Sequence, residues 1–141
     1  MRSGMERIEY TSKSPSETWD VGERIGRDAK RGDLYAIYGE LGTGKTQLVK
    51  GIARGLGIRD WQYVTSPSFT IMNVYEGNYT LCHVDLYRIE AYDVESLNIE
   101  EFLEQGIVAV EWAERGTWWN GVIEVHIDAV SEGERRITVT K

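Results

Sequence analysis

The sequence predicts one α/β domain in which a central mixed β-sheet is flanked by helices. A strand-like apolar run at residues 33–38 leads directly into a glycine-rich segment at residues 39–46. Apolar residues at helical spacing follow that segment, and several strand-like segments follow the helix. This order of elements indicates an α/β domain with a mixed sheet. The chain has 141 residues, which suits a single domain covering residues 1–141, with residues 1–4 as a candidate cloning remnant before Met5.

The first part of the chain predicts a strand and then a capped helix. Arg7–Ser12 alternates in polarity and includes Ile8 and Tyr10, which indicates a short strand. Ser14 can cap the following helix, Pro15 suits its first turn, and Glu17 stands where a capping box needs it. The helix is expected to end near Lys30. Its buried stripe is expected to contain Trp19, Val21 or Gly22, Ile25 and Ala29.

The rest of the chain predicts a second long helix, a hairpin and further strands. The helix begins at Lys45 and closes at Gly57. Residues 69–75 and 79–87 are strand-like and are separated by a three-residue turn, which predicts a β-hairpin. Residues 91–105 predict one or two short helices. Strands are predicted at residues 107–110, 121–129 and 136–140, with a turn at residues 131–133.

The glycine-rich segment matches the phosphate-binding P-loop pattern G-x-x-x-x-G-K-[ST], so the predicted fold is that of a P-loop NTPase. Its glycines let the backbone curl so that several N–H groups point at phosphate oxygens, and the helix dipole adds to their attraction. In this motif Lys45 reaches the β- and γ-phosphates and the Thr46 hydroxyl binds Mg²⁺. A strand before the motif and a helix after it favour a true P-loop over a chance match. The predicted nucleotide contacts here are Gly39, Glu40, Leu41, Gly42, Thr43, Gly44, Lys45 and Thr46.

A P-loop needs acidic residues for the metal and for the attacking water, and two acids stand at strand ends. Glu111 follows four apolar residues, as in a Walker B strand. For Asp85 the sequence supports two interpretations equally: an acid of the site, or a surface acid that caps its strand. Thr65 lies in a loop at residues 65–68, where a hydroxyl can sense the γ-phosphate, although an ordinary helix-to-strand connector has the same composition.

The charge and composition narrow the classes of partner. The net charge is −7, with 16 basic and 23 acidic residues and no basic run, which argues against direct nucleic-acid binding. A role in a nucleic-acid pathway would therefore run through another protein. No apolar run approaches a membrane span and no secretory signal follows Arg2. The single cysteine, Cys82, fits a cytoplasmic location and does not suffice for a metal site.

Four motifs together resemble the TsaE family over residues 14–140. They are the P-loop, Thr-Ser-Pro-Ser-Phe-Thr at residues 65–70, His-Val-Asp-Leu-Tyr-Arg at residues 83–88 and Glu-Trp-Ala-Glu at residues 111–114. Their order and spacing are those of the family, and the last two motifs make the resemblance specific. The chain departs from the usual family pattern at Thr43, Ser68 and Ala113, and none of these changes removes a chemical group that ATP binding requires.

The resemblance implies an ATPase of bacterial tRNA threonylcarbamoyladenosine biosynthesis that binds ATP and Mg²⁺. It would hydrolyse ATP in complex with TsaB and TsaD and reset that complex between turnovers. TsaD modifies adenosine 37 of tRNAs that read codons beginning with A, so tRNA would be reached only indirectly. The family pattern also assigns roles to single residues. It implies Mg²⁺ binding by Thr46 and Glu111, a hydrolytic role for Asp85 at the water or the metal, and nucleotide contacts by Trp112, Thr65 and Thr18.

Two other functions share the P-loop. A small-molecule P-loop kinase would need a second pocket and usually an Arg-bearing lid. The only segment suited to a lid, residues 91–105, contains no Arg or Lys, which argues against a kinase. A non-enzymatic, nucleotide-dependent binding module is the other alternative, since weak hydrolysis by the isolated protein would look similar.

Overall fold

The structure is a computed structural model that describes residues 6–40, 42–67, 71–89 and 91–141, without the side chains of residues 91–93. Within these residues, seven strands form one mixed sheet in the order β1-β7-β6-β2-β5-β4-β3. The strands are β1 (Arg7–Ser12), β2 (Leu34–Tyr38), β3 (Met72–Tyr75), β4 (Thr80–Asp85), β5 (Gly106–Glu111), β6 (Ile123–Ser131) and β7 (Glu134–Thr140). The α/β prediction with a mixed sheet is confirmed.

The helices are α1 (Pro15–Asp28), α2 (Lys45–Gly55) and the short α3 (Ile99–Leu103), with single-turn or irregular 3₁₀ segments at Trp61–Tyr63, Ala91–Leu97 and Ala113–Arg115. The longest of the described helices, α1, has 14 residues. None of the helices in the described part of the chain is long and apolar enough to cross a membrane.

The centre of the sheet is parallel. Strand β5 runs parallel to β2 on one side and to β4 on the other, and β2 runs parallel to β6. The outer strands β1, β7 and β3 are antiparallel to their neighbours. Because parallel strands end at one edge of a sheet, the segments that follow β2, β4 and β5 meet there. Asp85 and Glu111 are register partners at this edge.

Each face of the sheet carries its own apolar core. Helices α1 and α2 cover one face, where Ile25, Leu48 and Ile52 pack on strand residues such as Ile107. On the other face, Val94 and Ile99 pack against β4 and β5. Alternate residues of each strand point to opposite faces, so a buried central strand is apolar throughout. This explains the unbroken apolar run that precedes Glu111.

Helix α1 begins as its sequence predicts. The Glu17 N–H donates to the Ser14 hydroxyl at 3.1 Å, and the Lys13 N–H donates to the Glu17 carboxylate at 2.8 Å. The first bond caps the helix, and the second returns from Glu17 to the residue before the cap, so the arrangement is close to a capping box. The helix ends at Asp28, two residues before the expected Lys30, and Val21, Gly22 and Ile25 are buried while Trp19 is half-buried.

The last hairpin is longer than the sequence predicts. Strand β6 extends to Ser131 and β7 starts at Glu134, against predicted bounds of 129 and 136. Backbone pairing continues past the buried residues through a bulge between Ala129 and Ser131, where the side chains are exposed and no longer alternate in burial. The β3–β4 hairpin is confirmed from Met72 onward, and the predicted strand residues 69 and 70 lie outside the described residues.

Candidate functional site

The glycine-rich loop joins β2 to α2 at the carboxyl edge of the sheet. Gly42 and Gly44 have φ angles of 82° and 106°, a left-handed conformation that favours glycine. Gly44 is also the N-cap of α2, and no described side chain caps this helix. The N–H groups of the first turn are therefore left for a ligand, as in an anion site at a helix N-terminus. The loop residue Leu41 lies outside the described residues.

The Lys45 side chain folds back into the loop. Its ammonium group donates to the Gly39 carbonyl at 2.5 Å and to the Glu40 carbonyl at 2.9 Å. It also lies 4.1 Å from the centroid of the Trp112 ring. Burial lowers the pKa of Lys45 from its ordinary value, and the carboxylate of Glu111 leads the nearby acids that oppose this shift. Phosphate oxygens can replace the two carbonyls as acceptors of these hydrogen bonds.

Thr46 and Glu111 meet although they are 65 residues apart in the chain. The Thr46 hydroxyl donates to the two carboxylate oxygens of Glu111 at 3.1 and 3.0 Å. The Glu111 carboxylate is buried, and its Oε2 also lies 2.5 Å from Nε2 of His83. The predicted pair is thus brought together by the parallel pairing of β5 with β2.

The donor set of this pair fits Mg²⁺. A hydroxyl and a carboxylate are hard oxygen ligands, which Mg²⁺ prefers. In the described part of the chain, no group of three or more His, Cys, Asp or Glu side chains converges as a metal cage. Mg²⁺ in nucleotide sites commonly uses only one or two protein ligands and completes its shell with water and phosphate oxygens. The pair therefore suits a metal that arrives with a nucleotide.

Asp85 lies beside Glu111 at the end of β4 and is half-buried. Its Oδ1 accepts the Tyr87 N–H at 2.9 Å, and its Oδ2 accepts a short hydrogen bond from the Ser66 hydroxyl. The first bond closes the turn after the strand, which is a structural role. The second bond ties the carboxylate to the loop at residues 65–67.

Within that loop, Ser66 makes the contact with Asp85, and the sequence did not single out this serine. Thr65, which was predicted to contact the nucleotide, is exposed. The two hydroxyls are adjacent and of similar chemistry, so only the position of the loop against β4 distinguishes them. Ser68, Phe69 and Thr70 of the same motif lie outside the described residues.

A cavity of about 300 Å³ opens beside the glycine-rich loop. It lies between the start of α1 and the turn that joins β6 to β7, and Thr18, Gln47 and Arg135 are among its lining residues. Thr18 is buried, and its hydroxyl lies 2.7 Å from that of Ser12. The predicted residue Thr18 is thus placed at the wall of this cavity.

Arg135 is a site residue that the sequence did not reveal. Its guanidinium donates to the Thr43 carbonyl at 2.9 Å and to the Gly42 carbonyl at 3.4 Å. It also donates to the Ser131 carbonyl at 3.0 Å and so ties the β6–β7 turn to the glycine-rich loop. No motif surrounds this arginine, and its sequence distance of 92 residues from Thr43 hides the contact.

Trp112 follows Glu111 and closes one side of the site. Its backbone is left-handed, with a φ angle of 57°, which turns the chain sharply after β5. Its ring lies 4.9 Å from the ring of Tyr87, measured between centroids. Its ring is also the one that the Lys45 ammonium faces, so the residue predicted to contact the nucleotide lies beside the loop lysine.

Comparison with known proteins identifies the family. Residues 12–137 match the family model described as Threonylcarbamoyl adenosine biosynthesis protein TsaE. The tRNA threonylcarbamoyladenosine biosynthesis protein TsaE of Nostoc sp. is 39% identical over 130 residues, covering 87% of this chain and 79% of the relative. The protein of the same name from Aquifex aeolicus is 34% identical over 132 residues, covering 93% of this chain and 94% of the relative.

A solved structure agrees with these matches. The crystal structure of Bacillus subtilis YdiB aligns with a TM-score of 0.75 and 31% sequence identity, covering 97% of this chain and 86% of that one. The family model and the relatives thus extend over most of the chain, including the glycine-rich loop, Asp85 and Glu111. On these grounds, this chain belongs to the TsaE family.

Proposed function

We propose that this protein is an ATPase that serves threonylcarbamoylation of adenosine 37 in tRNA. The observation that carries the proposal is the meeting of the Thr46 hydroxyl with the buried Glu111 carboxylate at the end of the glycine-rich loop. A phosphate-binding loop with a hydroxyl and a carboxylate at this place is the arrangement of a Mg²⁺-nucleotide site. The names of the relatives connect them with tRNA threonylcarbamoyladenosine biosynthesis, which supports the pathway.

In the proposed complex the loop N–H groups bind the phosphates of ATP, and Lys45 exchanges its carbonyl acceptors for β- and γ-phosphate oxygens. Thr46 and Glu111 would hold Mg²⁺, which supplies neutralisation of the phosphate charge when it is bound. The cavity between Thr18 and Arg135 is the space beside the loop in which the nucleoside is expected. Trp112 shields the lysine from water, which strengthens the attraction between the ammonium group and phosphate.

Asp85 is the proposed hydrolytic residue. Asp85 is the register partner of Glu111 on the neighbouring strand, and one oxygen of its carboxylate is bound by the Ser66 hydroxyl. That oxygen becomes available to orient a water molecule or a metal-bound water when the loop at residues 65–67 rearranges. Such a dependence on a loop is typical of nucleotide switches, in which a partner or the γ-phosphate changes the loop. We therefore expect the hydrolysis rate to depend on partners.

The proposed partners are TsaB and TsaD, with tRNA reached only through them. The net charge of −7 disfavours direct contact with tRNA and favours docking to basic protein surfaces. The test is to measure association with TsaB–TsaD at low and at moderate ionic strength. Association that does not weaken with added salt would contradict the electrostatic part of the proposal.

The decisive experiment measures ATP binding and phosphate release with and without TsaB and TsaD. We expect partner-stimulated hydrolysis in the wild type. We expect Lys45→Ala to lose hydrolysis and most of the ATP affinity, because the ammonium is the main counter-charge to the phosphates. Lys50→Ala is the matched control, since Lys50 lies on the same helix and donates to the Gln62 carbonyl away from the site. Normal turnover in Lys45→Ala would refute the proposal.

The same assay separates the two alternative functions. Transfer of phosphate to a metabolite would indicate a small-molecule kinase, and binding without turnover under either condition would indicate a binding module. The position of residues 91–105 argues against the kinase. Val94 and Ile99 anchor this segment to the face of the sheet opposite α1 and α2, so it does not serve as a lid over the loop.

A further inference from the structure

His83 is a buried polar residue among apolar neighbours on the sheet. It lies in β4, its side chain is fully buried, and strand alternation places it on the same face as Leu81, which belongs to the core under α1 and α2. The adjacent residues Cys82 and Val84 face the opposite core. His83 therefore points toward the side of the sheet from which Thr46 approaches Glu111.

The hydrogen bonds define what His83 does there. Its Nε2 lies 2.5 Å from Oε2 of Glu111, which also accepts from the Thr46 hydroxyl. A carboxylate that binds a metal is ionised and can only accept hydrogen bonds, so for that role Nε2 is the donor of this bond. The other ring nitrogen, Nδ1, has no partner in the described structure. Glu111 is thus the one described hydrogen-bond partner of this imidazole.

A buried imidazole with one unpaired nitrogen does not favour the stability of the fold. A buried ring nitrogen without a partner carries a desolvation cost, and an apolar side chain of similar size would avoid it. The bond to Glu111, in contrast, fixes the rotation of a carboxylate that otherwise has several side-chain torsions free. With Oε2 held by His83, the carboxylate presents its oxygens to the Thr46 hydroxyl, at 3.0 and 3.1 Å.

We infer that His83 is a positioning residue that holds the Glu111 carboxylate in the orientation needed to bind Mg²⁺ together with Thr46. The inference rests on the proposed function and deepens it. In this role His83 contacts neither the metal nor the nucleotide and acts only through Glu111. Partners of metal-binding side chains typically contribute 10- to 100-fold in metal affinity.

The test uses the intact protein and a non-hydrolysable ATP analogue, with binding measured by calorimetry over a range of Mg²⁺ concentrations. In His83→Leu we expect the Mg²⁺ concentration for half-maximal enhancement of binding to rise about 10- to 100-fold, with binding in EDTA unchanged. His83→Gln can place an amide N–H near the position of Nε2, so its midpoint should stay within about threefold of the wild type.

Two further variants make the test specific. His83→Asn retains an amide that is too short to reach Glu111, so its Mg²⁺ midpoint should rise as much as that of His83→Leu. If His83→Leu does not fold, His83→Asn takes its place in the test. His126→Gln is the matched control, because His126 also contacts a glutamate, Glu124 at 3.3 Å, but on the exposed part of β6. Its Mg²⁺ midpoint should not change.

Three results would overturn the inference, and the first of them is distinguishable from the other two. If wild-type binding of the analogue does not depend on Mg²⁺, both the metal assignment and the role of His83 are wrong. If the wild type depends on Mg²⁺ but folded His83→Leu or His83→Asn keeps the wild-type midpoint, only the role of His83 is wrong. A midpoint that rises equally in His83→Gln and His83→Leu would likewise exclude positioning through the N–H group.

Discussion

Helices α1 and α2 approach each other through glycines, and replacing Gly51 by alanine tests how closely they pack. A Cβ atom at Gly51 would lie 2.8 Å from the Gly22 Cα and closer still to the Trp19 carbonyl oxygen. Gly26 and Gly55 form an equivalent contact one helical turn away. All of these neighbouring atoms are backbone, so no side chain can move aside.

The expected cost follows from the separation that the new methyl group requires. Ordinary contact for such a carbon begins at 3.4 Å, so the helices must part by more than about 0.5 Å, a gap that forfeits a quarter or more of the dispersion energy of each contact. Alanine gains about 1 kcal/mol over glycine in an open helix, and overpacking costs about 1–3 kcal/mol or more. Because backbone atoms lie on both sides of the clash, we expect the overpacking cost to exceed the usual range of about 1–3 kcal/mol. We expect Gly51→Ala to lower the free energy of unfolding by about 2–3 kcal/mol net.

The assay is equilibrium unfolding in urea, read by the circular dichroism of the helices. Gly133→Ala is the matched control, because a Cβ atom there meets nothing within 4 Å, and its effect should stay within about 0.5 kcal/mol. An unchanged or increased free energy of unfolding for Gly51→Ala would show that the higher helix propensity of alanine outweighs the clash. The close approach of the two helices would then be refuted.

Three other predictions concern the core and the site. Burial raises the pKa of Cys82 from 9.0 to about 12, so the stability that its neutral thiol contributes is complete below pH 9 and is lost as the pH rises toward 12. Between pH 8 and pH 10 the wild type should therefore lose about 1.4 kcal/mol more unfolding free energy than Cys82→Ala, and equal slopes in urea titrations would contradict this. Arg135→Met should weaken ATP binding about tenfold by releasing the loop carbonyls, whereas Arg136→Met should not, as calorimetry can show. Asp85→Asn should retain ATP binding and lose partner-stimulated phosphate release; if it instead lost binding while Glu111→Gln did not, the proposed roles of the two acids would be exchanged.

The sequence by itself determined the local elements and the chemistry of the loop. The Ser14 cap, the left-handed glycines and the apolar strand before Glu111 all depend on residues within one turn or one strand of each other. The conformational preferences of neighbouring residues are sufficient for such features. The bounds at residues 129–136 were less accurate because backbone pairing, unlike side-chain burial, leaves no pattern in exposed positions.

The tertiary structure alone decided which of these residues meet. The strand order places β5 between β2 and β4, and this brings Glu111 to Thr46 and His83 across sequence separations of 65 and 28 residues. The bond from Arg135 to Thr43 spans 92 residues and depends on the β6–β7 turn reaching the loop. Such contacts arise from how strands pair and how faces pack, and no local periodicity encodes them. The residues of the glycine-rich loop could therefore be identified from the sequence, whereas the residues that contact and support them could be identified only from the fold.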